Sequence, residues 1–312
     1  MTALLVAANG GHLSQLVELA DRIDGLDPDR LWVTFDSPQS RVLLAGRRTV
    51  FVPPVEERDL RGVVRDAAYA RRILRDNHIS AVISTGSGIA LSFLPYAAAR
   101  SIAAHYVESA ARVGRPSLTG RILQWVPTVR LYAQYPHLAR GRWRFAGSVF
   151  DGYQSAAGKP KPVKRMVVTL GTGLHGFRRL IDRLLTQIPS DVAVLWQTGS
   201  TPVEGLGIDA RTVVPADELA SAIADADVVV AHAGCGSALG ALNAGKYPVL
   251  VPREPQRGEL VDNHQVELAR FLAERDLARQ CSASAITWSD IVAASERRVS
   301  RRANPPPLRL AA

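Results

Sequence analysis

The 312-residue chain has only two cysteines, Cys235 and Cys281, without paired spacing. Neither a disulfide framework nor a cysteine-built zinc site is expected from that count, and a reducing cytoplasm is the natural setting. Long apolar runs are missing too. The longest stretch, Ile89 to Val107, carries Pro95 and is cut by Arg100, so nothing reaches the roughly 18 residues of a membrane span. The amino terminus, MTALLVAANGGH, has no basic region before its apolar run, and that run breaks too soon for a secretory signal. Aromatics are few, at 6%, and are not interleaved with basic residues, so no nucleic-acid partner is expected. There is no G-x-S-x-G elbow, and His12, Ser14 and Asp21 make no hydrolase triad. Lysine is scarce, 4 against 34 arginines, which reads as composition bias.

What is present is a globular composition, with 47% apolar and 21% charged residues. The length suits two domains with separate cores. The net charge of +9 is unevenly shared, +6 over residues 1–158 and +3 over residues 159–312. A basic first half suits an anionic partner such as a phospholipid surface or a lipid diphosphate, or is simply general surface charge.

Short apolar strands alternate with helical patterns along the chain. Ala3 to Ala8 reads as a strand, and Asn9-Gly10-Gly11-His12 turns it into a helix over Leu13 to Ile23. Strands follow at Leu31 to Phe35 and Thr49 to Val52, then an arginine-faced helix over Arg61 to Asn77. Ala81 to Ser84 ends in Thr85-Gly86-Ser87-Gly88 and leads to an apolar helix; Ala103 to Val107 ends at Glu108-Ser109. Val129 to Ala133 reads as the last strand of this half. Residues 151–164, DGYQSAAGKPKPVK, are polar, proline-bearing and aperiodic: a linker. The alternation resumes with Met166 to Leu170, the turn Gly171-Thr172-Gly173, a helix over Gly176 to Gln187, strands at Ala193 to Trp196 and Thr212 to Val214, and a helix over Asp217 to Ala224. The expected architecture is α/β, two Rossmann-like doubly wound parallel-sheet domains facing across a cleft, over residues 1–150 and 165–299. Residues 300–312 read as a basic, proline-rich tail that frays.

The most informative stretch is VVVAHAGCGSALGALNAGKYPVLV. A buried strand from Val228 runs into His232-Ala233-Gly234-Cys235-Gly236-Ser237, then into an alanine-rich helix. Gly234 and Gly236 allow close backbone approach, the helix start offers free N–H groups to a phosphate, and Ser237 adds a hydroxyl. An ordinary tight βα turn is the competing reading. Asp262-Asn263-His264-Gln265 opens the next helix on the same sheet edge and favours a nucleotide-diphosphate cradle. A dinucleotide fingerprint is not met, since Leu239 holds the third glycine's place. Asp225-Ala226-Asp227 looks like a metal-binding DxD, but it precedes its strand, whereas ligands gather at carboxyl ends. No catalytic metal and no cofactor are expected.

These motifs resemble a known family. The second half is similar to the nucleotide-sugar domain of GT-B glycosyltransferases, nearest to the catalytic subunit that adds the second N-acetylglucosamine to dolichol diphosphate. Gly171-Thr172-Gly173 with Phe177, His232 to Ser237, Ala244-Gly245-Lys246, Val251-Pro252-Arg253 and Asp262 to Gln265 carry the likeness. The first half resembles that enzyme's membrane-side subunit, through Gly10-Gly11-His12, Ser84 to Gly88, Glu108-Ser109 with Arg112, and Ser117 to Arg121. Bacterial exopolysaccharide transferases combine the same two modules. One position departs: the family's ribose-holding glutamate is replaced by Gly240.

The resemblance implies an inverting, metal-independent transfer from a UDP-sugar to a polyprenyl-diphosphate-linked acceptor at the cytoplasmic face of the inner membrane. His12 is the expected base, with an imidazole titrating near neutrality; a helix-capping histidine is the alternative. Glu108 shares that crevice, or else pairs with Arg112 in a salt bridge. Gly10, Gly11, Gly86, Ser87, Ser109 and Arg112 are the implied acceptor-side residues. Gly171, Thr172, His232, Gly234, Gly236 and Ser237 are the implied donor-side residues, of which Thr172, Gly236 and Ser237 would hold the phosphates; Asn263, His264 and Gln265 would bond its sugar. The loop at Pro215-Ala216 would meet the base, and Arg253 and Arg257 would either neutralise leaving-group charge or sit solvated. The apolar helix Ile89 to Ala99, with Phe93 and Leu94, is expected to dip into the membrane interface. A soluble acceptor is the runner-up, and a non-catalytic donor-binding subunit is the reading that Gly240 motivates.

Overall fold

The computed structural model, which describes residues 2–56 and 59–310, resolves the alternating pattern into two parallel sheets and a short ribbon. The chain divides into two units, Met1–Asp151 with Pro305–Ala312, and Gly152–Asn304.

In the first unit the elements are β1 (Thr2–Ala7), α1 (Gly11–Ala20), β2 (Arg30–Phe35), α2 (Pro38–Leu43), β3 (Thr49–Val52), α3 (Leu60–Asp76), β4 (Ile79–Gly86), α4 (Ile89–Ala99), β5 (Ala103–Val107), α5 (Leu118–Leu123), β6 (Val129–Ala133) and β7 (Trp143–Phe145). The sheet order is β3-β2-β1-β4-β5-β6-β7. Leu5 is in register with Trp32 on one side and Ile83 on the other, so β1 is central. Helices cover both faces, which is why Leu4, Leu5, Val6 and Ala7 are all buried rather than alternating. The order reverses between β1 and β4, and at such a switch point the carboxyl-end loops part to leave a crevice. His12 follows β1 there, and Gly86 ends β4.

Three expectations need correcting in this unit. The sheet continues past β6 to β7, a three-residue strand too short for periodicity to register. The described part of the tail, to residue 310, is held in place: Leu308 is buried, its N–H donates to the Arg22 carbonyl at 2.6 Å, and its own carbonyl accepts from Asp24 N–H at 3.2 Å. The helix expected to enter a membrane is instead core. Phe93 and Leu94 are fully buried with Ala70, Ile73 and Leu74 of α3, and the Ser92 hydroxyl donates to the Val63 carbonyl at 2.9 Å. A helix apolar all round suits a protein core as well as lipid.

The second unit holds β8 (Tyr153–Ala157), β9 (Arg165–Thr169), α6 (Arg178–Gln187), β10 (Ala193–Gln197), β11 (Ala210–Arg211), α7 (Ala216–Asp225), β12 (Val228–His232), α8 (Cys235–Asn243), β13 (Val249–Val251), α9 (His264–Glu274), β14 (Arg279–Gln280), α10 (Trp288–Ser295) and β15 (Arg297–Arg301). Its sheet order is β11-β10-β9-β12-β13-β14, with the same kind of reversal between β9 and β12. The turns after these two strands carry Gly171 and Gly234. The expected linker is partly a strand: β8 pairs antiparallel with β15, Ser155 opposite Val299. The strand expected at Thr212 to Val214 lies two residues earlier, at Ala210–Arg211. Asp227 staples the sheet entrance. It accepts from Lys161 Nζ at 2.5 Å and from the Lys164 and Arg165 N–H groups at 2.8 and 2.9 Å. Burial would raise its pKa, but these bonds outweigh that and hold it near about 2.

Candidate functional site

At the switch point of the first unit, Gly10 (φ +75°) ends the β1 turn and its N–H donates to Gln39 Oε1 at 2.9 Å. His12 lies in the first turn of α1. Its Nδ1 is 2.7 Å from the Thr85 carbonyl, and the Thr85 hydroxyl returns a 2.8 Å bond to the His12 carbonyl. A carbonyl only accepts, so Nδ1 carries a proton in this bond. Gly86 (φ +99°) packs against this ring. A methyl group there would stand 3.1 Å from His12 Nδ1 and 3.4 Å from the Tyr106 hydroxyl.

Glu108 is buried directly beyond Tyr106. Its Oε1 accepts from Tyr106 OH at 3.1 Å and Ser109 N–H at 3.0 Å; its Oε2 accepts from Ser117 N–H at 2.8 Å and Ser117 Oγ at 3.0 Å. Burial raises its pKa, although those hydrogen bonds pull the other way. With both oxygens engaged four times, the carboxylate ties the 109–117 loop to β5. Gly120 is required beside it, since a methyl there would come 2.5 Å from Oε2. Ser109 is held by Gln15 Nε2 at 3.0 Å, and the Arg112 N–H closes a turn on the Ser109 carbonyl at 2.8 Å. Ser87 is part-exposed in the turn before α4, its carbonyl accepting from Ala90 N–H at 3.1 Å. Gly11 opens α1, and its carbonyl accepts from Gln15 Nε2 at 2.9 Å.

The sequence reading missed the polar network behind this site. Gln15 Oε1 accepts from Ala110 N–H at 2.6 Å and Gln134 Nε2 at 3.1 Å, while Gln134 Nε2 also donates to the Glu108 carbonyl at 3.0 Å. The one available signal was an isolated glutamine amid the apolar face of α1, three residues after His12.

In the second unit the His232 ring fills the space under both glycine turns. A methyl at Gly171 (φ +71°) would stand 2.6 Å from His232 Cε1, and one at Gly234 would overlap Nε2. Burial pushes the His232 pKa down to about 3, helped by the charge of Arg253. This imidazole is therefore a neutral spacer that sets how closely the two turns approach. Gly234 precedes α8 with no side-chain cap, so the N–H groups of Gly236 and Ser237 lie in a first turn lacking intrahelical acceptors. Thr172 is exposed in the turn after β9, and Ser200 Oγ holds that turn through the Gly173 carbonyl at 3.0 Å. Such an arrangement favours a bound anion, by aligned N–H groups and helix dipole.

At the start of α9, His264 Nδ1 is bonded to the Asp262 carboxylate, and its N–H donates to the same oxygen at 3.2 Å. Asn263 sits at the N-cap without a side-chain cap bond. Gln265 is buried and accepts from Arg253 N–H at 3.0 Å. Arg253 is neither solvated nor turned toward a ligand. Its guanidinium donates to the Leu170 and His175 carbonyls at 3.0 and 2.8 Å and stacks on Phe177, bracing the turn that contains Gly171. Burial lowers its pKa to about 10. Arg257 is exposed and pairs with Glu254 at 3.1 Å. A methyl at Gly240 would meet nothing within 4 Å, so this helical position opens to free space.

Residues 166–292 match the glycosyltransferase family 28 C-terminal domain. The chain is 46% identical over 56 residues to the UDP-N-acetylglucosamine transferase subunit ALG13 of Yarrowia lipolytica, covering 18% of this chain and 26% of that protein. It is 28% identical over 153 residues to the UDP-N-acetylglucosamine–N-acetylmuramyl-(pentapeptide) pyrophosphoryl-undecaprenol N-acetylglucosamine transferase of Paracidovorax citrulli, covering 45% of this chain and 42% of that protein. The chain thus spans less than half the length of these curated relatives. Among solved structures, MurG of Acinetobacter baumannii superposes with a TM-score of 0.57 at 19% identity, covering 94% of this chain and 89% of the other. The fold is that of the GT-B glycosyltransferases, and the chain is related to the MurG and ALG13 group.

Proposed function

We propose that this GT-B chain, with its family 28 C-terminal domain, is an inverting glycosyltransferase. It would move a sugar from a UDP-sugar to a polyprenyl-diphosphate-linked saccharide, at the cytoplasmic face of a membrane. One observation carries the reading: an uncapped α8 start, spaced by the neutral His232 from the Gly171 turn, is built to receive a diphosphate.

In this reading the N–H groups of Gly236 and Ser237, with the Ser237 hydroxyl and the exposed Thr172, take the diphosphate. Gln265 and His264 face the sugar hydroxyls. His12 Nε2 takes the proton of the acceptor hydroxyl as its oxygen bonds the anomeric carbon. The bond from that carbon to the diphosphate breaks, the electron pair leaves with UDP, and the configuration inverts. Glu108 acts through position, holding the 109–117 loop rather than reaching a substrate. Helix-start dipoles offset the leaving charge, so no metal is required.

The membrane contact falls on α5 in place of α4. Leu118, Ile122 and Trp125 are 54, 40 and 81% exposed, at the spacing of one helical face, with Arg115 and Arg121 exposed nearby. Arg142 fixes this turn by donating to the Gln124 carbonyl, and to those of Val126, Pro127 and Val129 at 2.9, 2.7 and 2.7 Å. An exposed tryptophan beside arginines suits an anionic lipid surface.

A second reading, a donor-binding subunit without turnover, is favoured only by the bare surface at Gly240. The deciding experiment incubates the full chain with a panel of UDP-sugars and a membrane lipid extract, with and without EDTA. A sugar-sized mass increase on a lipid, insensitive to EDTA, is expected. UDP binding with no product from any donor would leave the second reading in its place.

A further inference from the structure

Beyond the α8 turn, the second unit contains a cavity of about 440 Å³ at the carboxyl ends of β13 and β14. One wall is a single face of α9, residues 263, 266, 267 and 270, at helical i, i+3, i+4, i+7 spacing. The loop after β13 makes the second wall and residues 280–282 after β14 the third. This volume lies within the ~300–1,000 Å³ of small-ligand sites, and strand carboxyl ends are where open parallel sheets receive ligands.

The loop wall is cross-linked from behind. Arg179 donates to both carboxylate oxygens of Glu259 at 3.0 Å and lies 3.2 Å from Glu254, whose N–H in turn donates to Glu259 at 2.9 Å. The cavity therefore has a fixed shape without a ligand. Its chemistry is amide and hydroxyl: Gln256, Asn263, Gln280 and Ser282 line it. Three charged side chains also line it: Glu254, paired with Arg179 and Arg257, and Glu267 and Arg270 of α9. Among the described residues no aromatic ring lines it to stack a base. Amides donate and accept at once, which matches vicinal hydroxyl pairs.

We propose that this cavity binds a neutral pyranose, as a second saccharide site separate from the α8 turn. The inference stands independently of the transfer reaction. The occupant is either a free monosaccharide or one residue of a longer glycan, which the same hydrogen-bonding chemistry would take.

Saturation-transfer NMR on the full chain tests this with methyl glucoside, methyl galactoside, methyl mannoside, N-acetylglucosamine and cellobiose as probes, with and without saturating UDP. Transfer to at least one probe is expected, unchanged by UDP. Stronger transfer to cellobiose than to methyl glucoside would assign the site to a longer glycan, and the reverse to a free monosaccharide. Ser282→Trp, which fills the cavity from an exposed position, and Gln256→Leu with Gln280→Leu should each cut probe affinity at least tenfold. UDP affinity and the melting temperature should stay at wild-type values. No transfer to any probe, transfer abolished by UDP, or transfer undiminished in both variants would overturn the proposal.

Discussion

His12 and Thr85 bond each other twice: ring Nδ1 to the Thr85 carbonyl at 2.7 Å, and the Thr85 hydroxyl to the His12 carbonyl at 2.8 Å. The pair joins the first turn of α1 to the end of β4 and selects one imidazole tautomer. The ring thus crosses from the start of α1 to the end of the neighbouring strand β4.

His12→Asn should therefore lower turnover by about two to four powers of ten, the usual worth of a positioned base. UDP affinity, measured by calorimetry, should hardly move. Unchanged turnover would reduce His12 to a structural residue.

Glu108→Gln exchanges two acceptor oxygens for one oxygen and an amide facing Ser117 N–H. The loss of a buried acceptor should destabilise the first unit by about 1–3 kcal/mol in urea unfolding. Turnover should fall with the displaced loop while the pH profile of kcat/KM keeps its shape. Disappearance of a limb from that profile would make Glu108 the base.

Leu118→Ser with Trp125→Ser should release the protein from anionic liposomes, with UDP affinity and melting temperature retained. Phe93→Asp with Leu94→Asp should instead prevent folding, because both side chains are fully buried. Liposome binding that survives the α5 substitutions would remove this face from consideration.

Stability should fall on acidification below about pH 6.5. His105, buried and stacked on Tyr132, has its pKa lowered by burial to about 4, and His232 to about 3. The unfolded chain binds protons at these positions from the ordinary histidine pKa downward and the folded chain does not, so stability is complete above pH ~6.5. Each residue costs at most about 2 kcal/mol by pH 5. His105→Phe should flatten the curve between pH 7 and 5, and a curve already flat in wild type would contradict both buried neutral assignments.

Gly240→Glu should strengthen UDP binding. The position is helical, without positive φ, and a side chain meets open space. A charged hydrogen bond to ribose is worth about 1.5–3 kcal/mol, and leaving glycine in a helix adds about 0.5–1 kcal/mol of stability. A gain for UDP but not for a 2′,3′-dideoxy analogue is the expected pattern. Equal affinity for UDP before and after substitution would place the ribose elsewhere.

Much of the architecture was legible from pattern. Apolar runs of four to six residues ending in Gly10-Gly11, Gly86, Gly171 or Gly234 announced strands whose carboxyl ends carry turns, because only a parallel sheet covered on both faces needs such continuous runs. The short elements β7 and β14 escaped, and β11 was displaced by two residues, since two or three residues carry no period. β8 and β15 escaped for another reason. They pair with each other 144 positions apart, Ser155 to Val299, and neither is apolar enough to register alone.

Sequence by itself determined which residues lie at the two switch points, because the turn chemistry of His12, Gly86, Gly171, Gly234 and Ser237 is local. Tertiary structure alone decided what several of them do. Arg253, read as either a ligand charge or a solvated side chain, donates to three backbone carbonyls, and Glu108, read as either a catalytic group or a partner of Arg112, accepts from four donors. The helix that looked like a membrane contact is core, while the exposed apolar stripe is a six-residue helix and the turn after it. Hydropathy records how strongly a segment avoids water; whether lipid or protein provides the refuge depends on which helices pack beside it, and that depends on contacts between residues far apart in the chain.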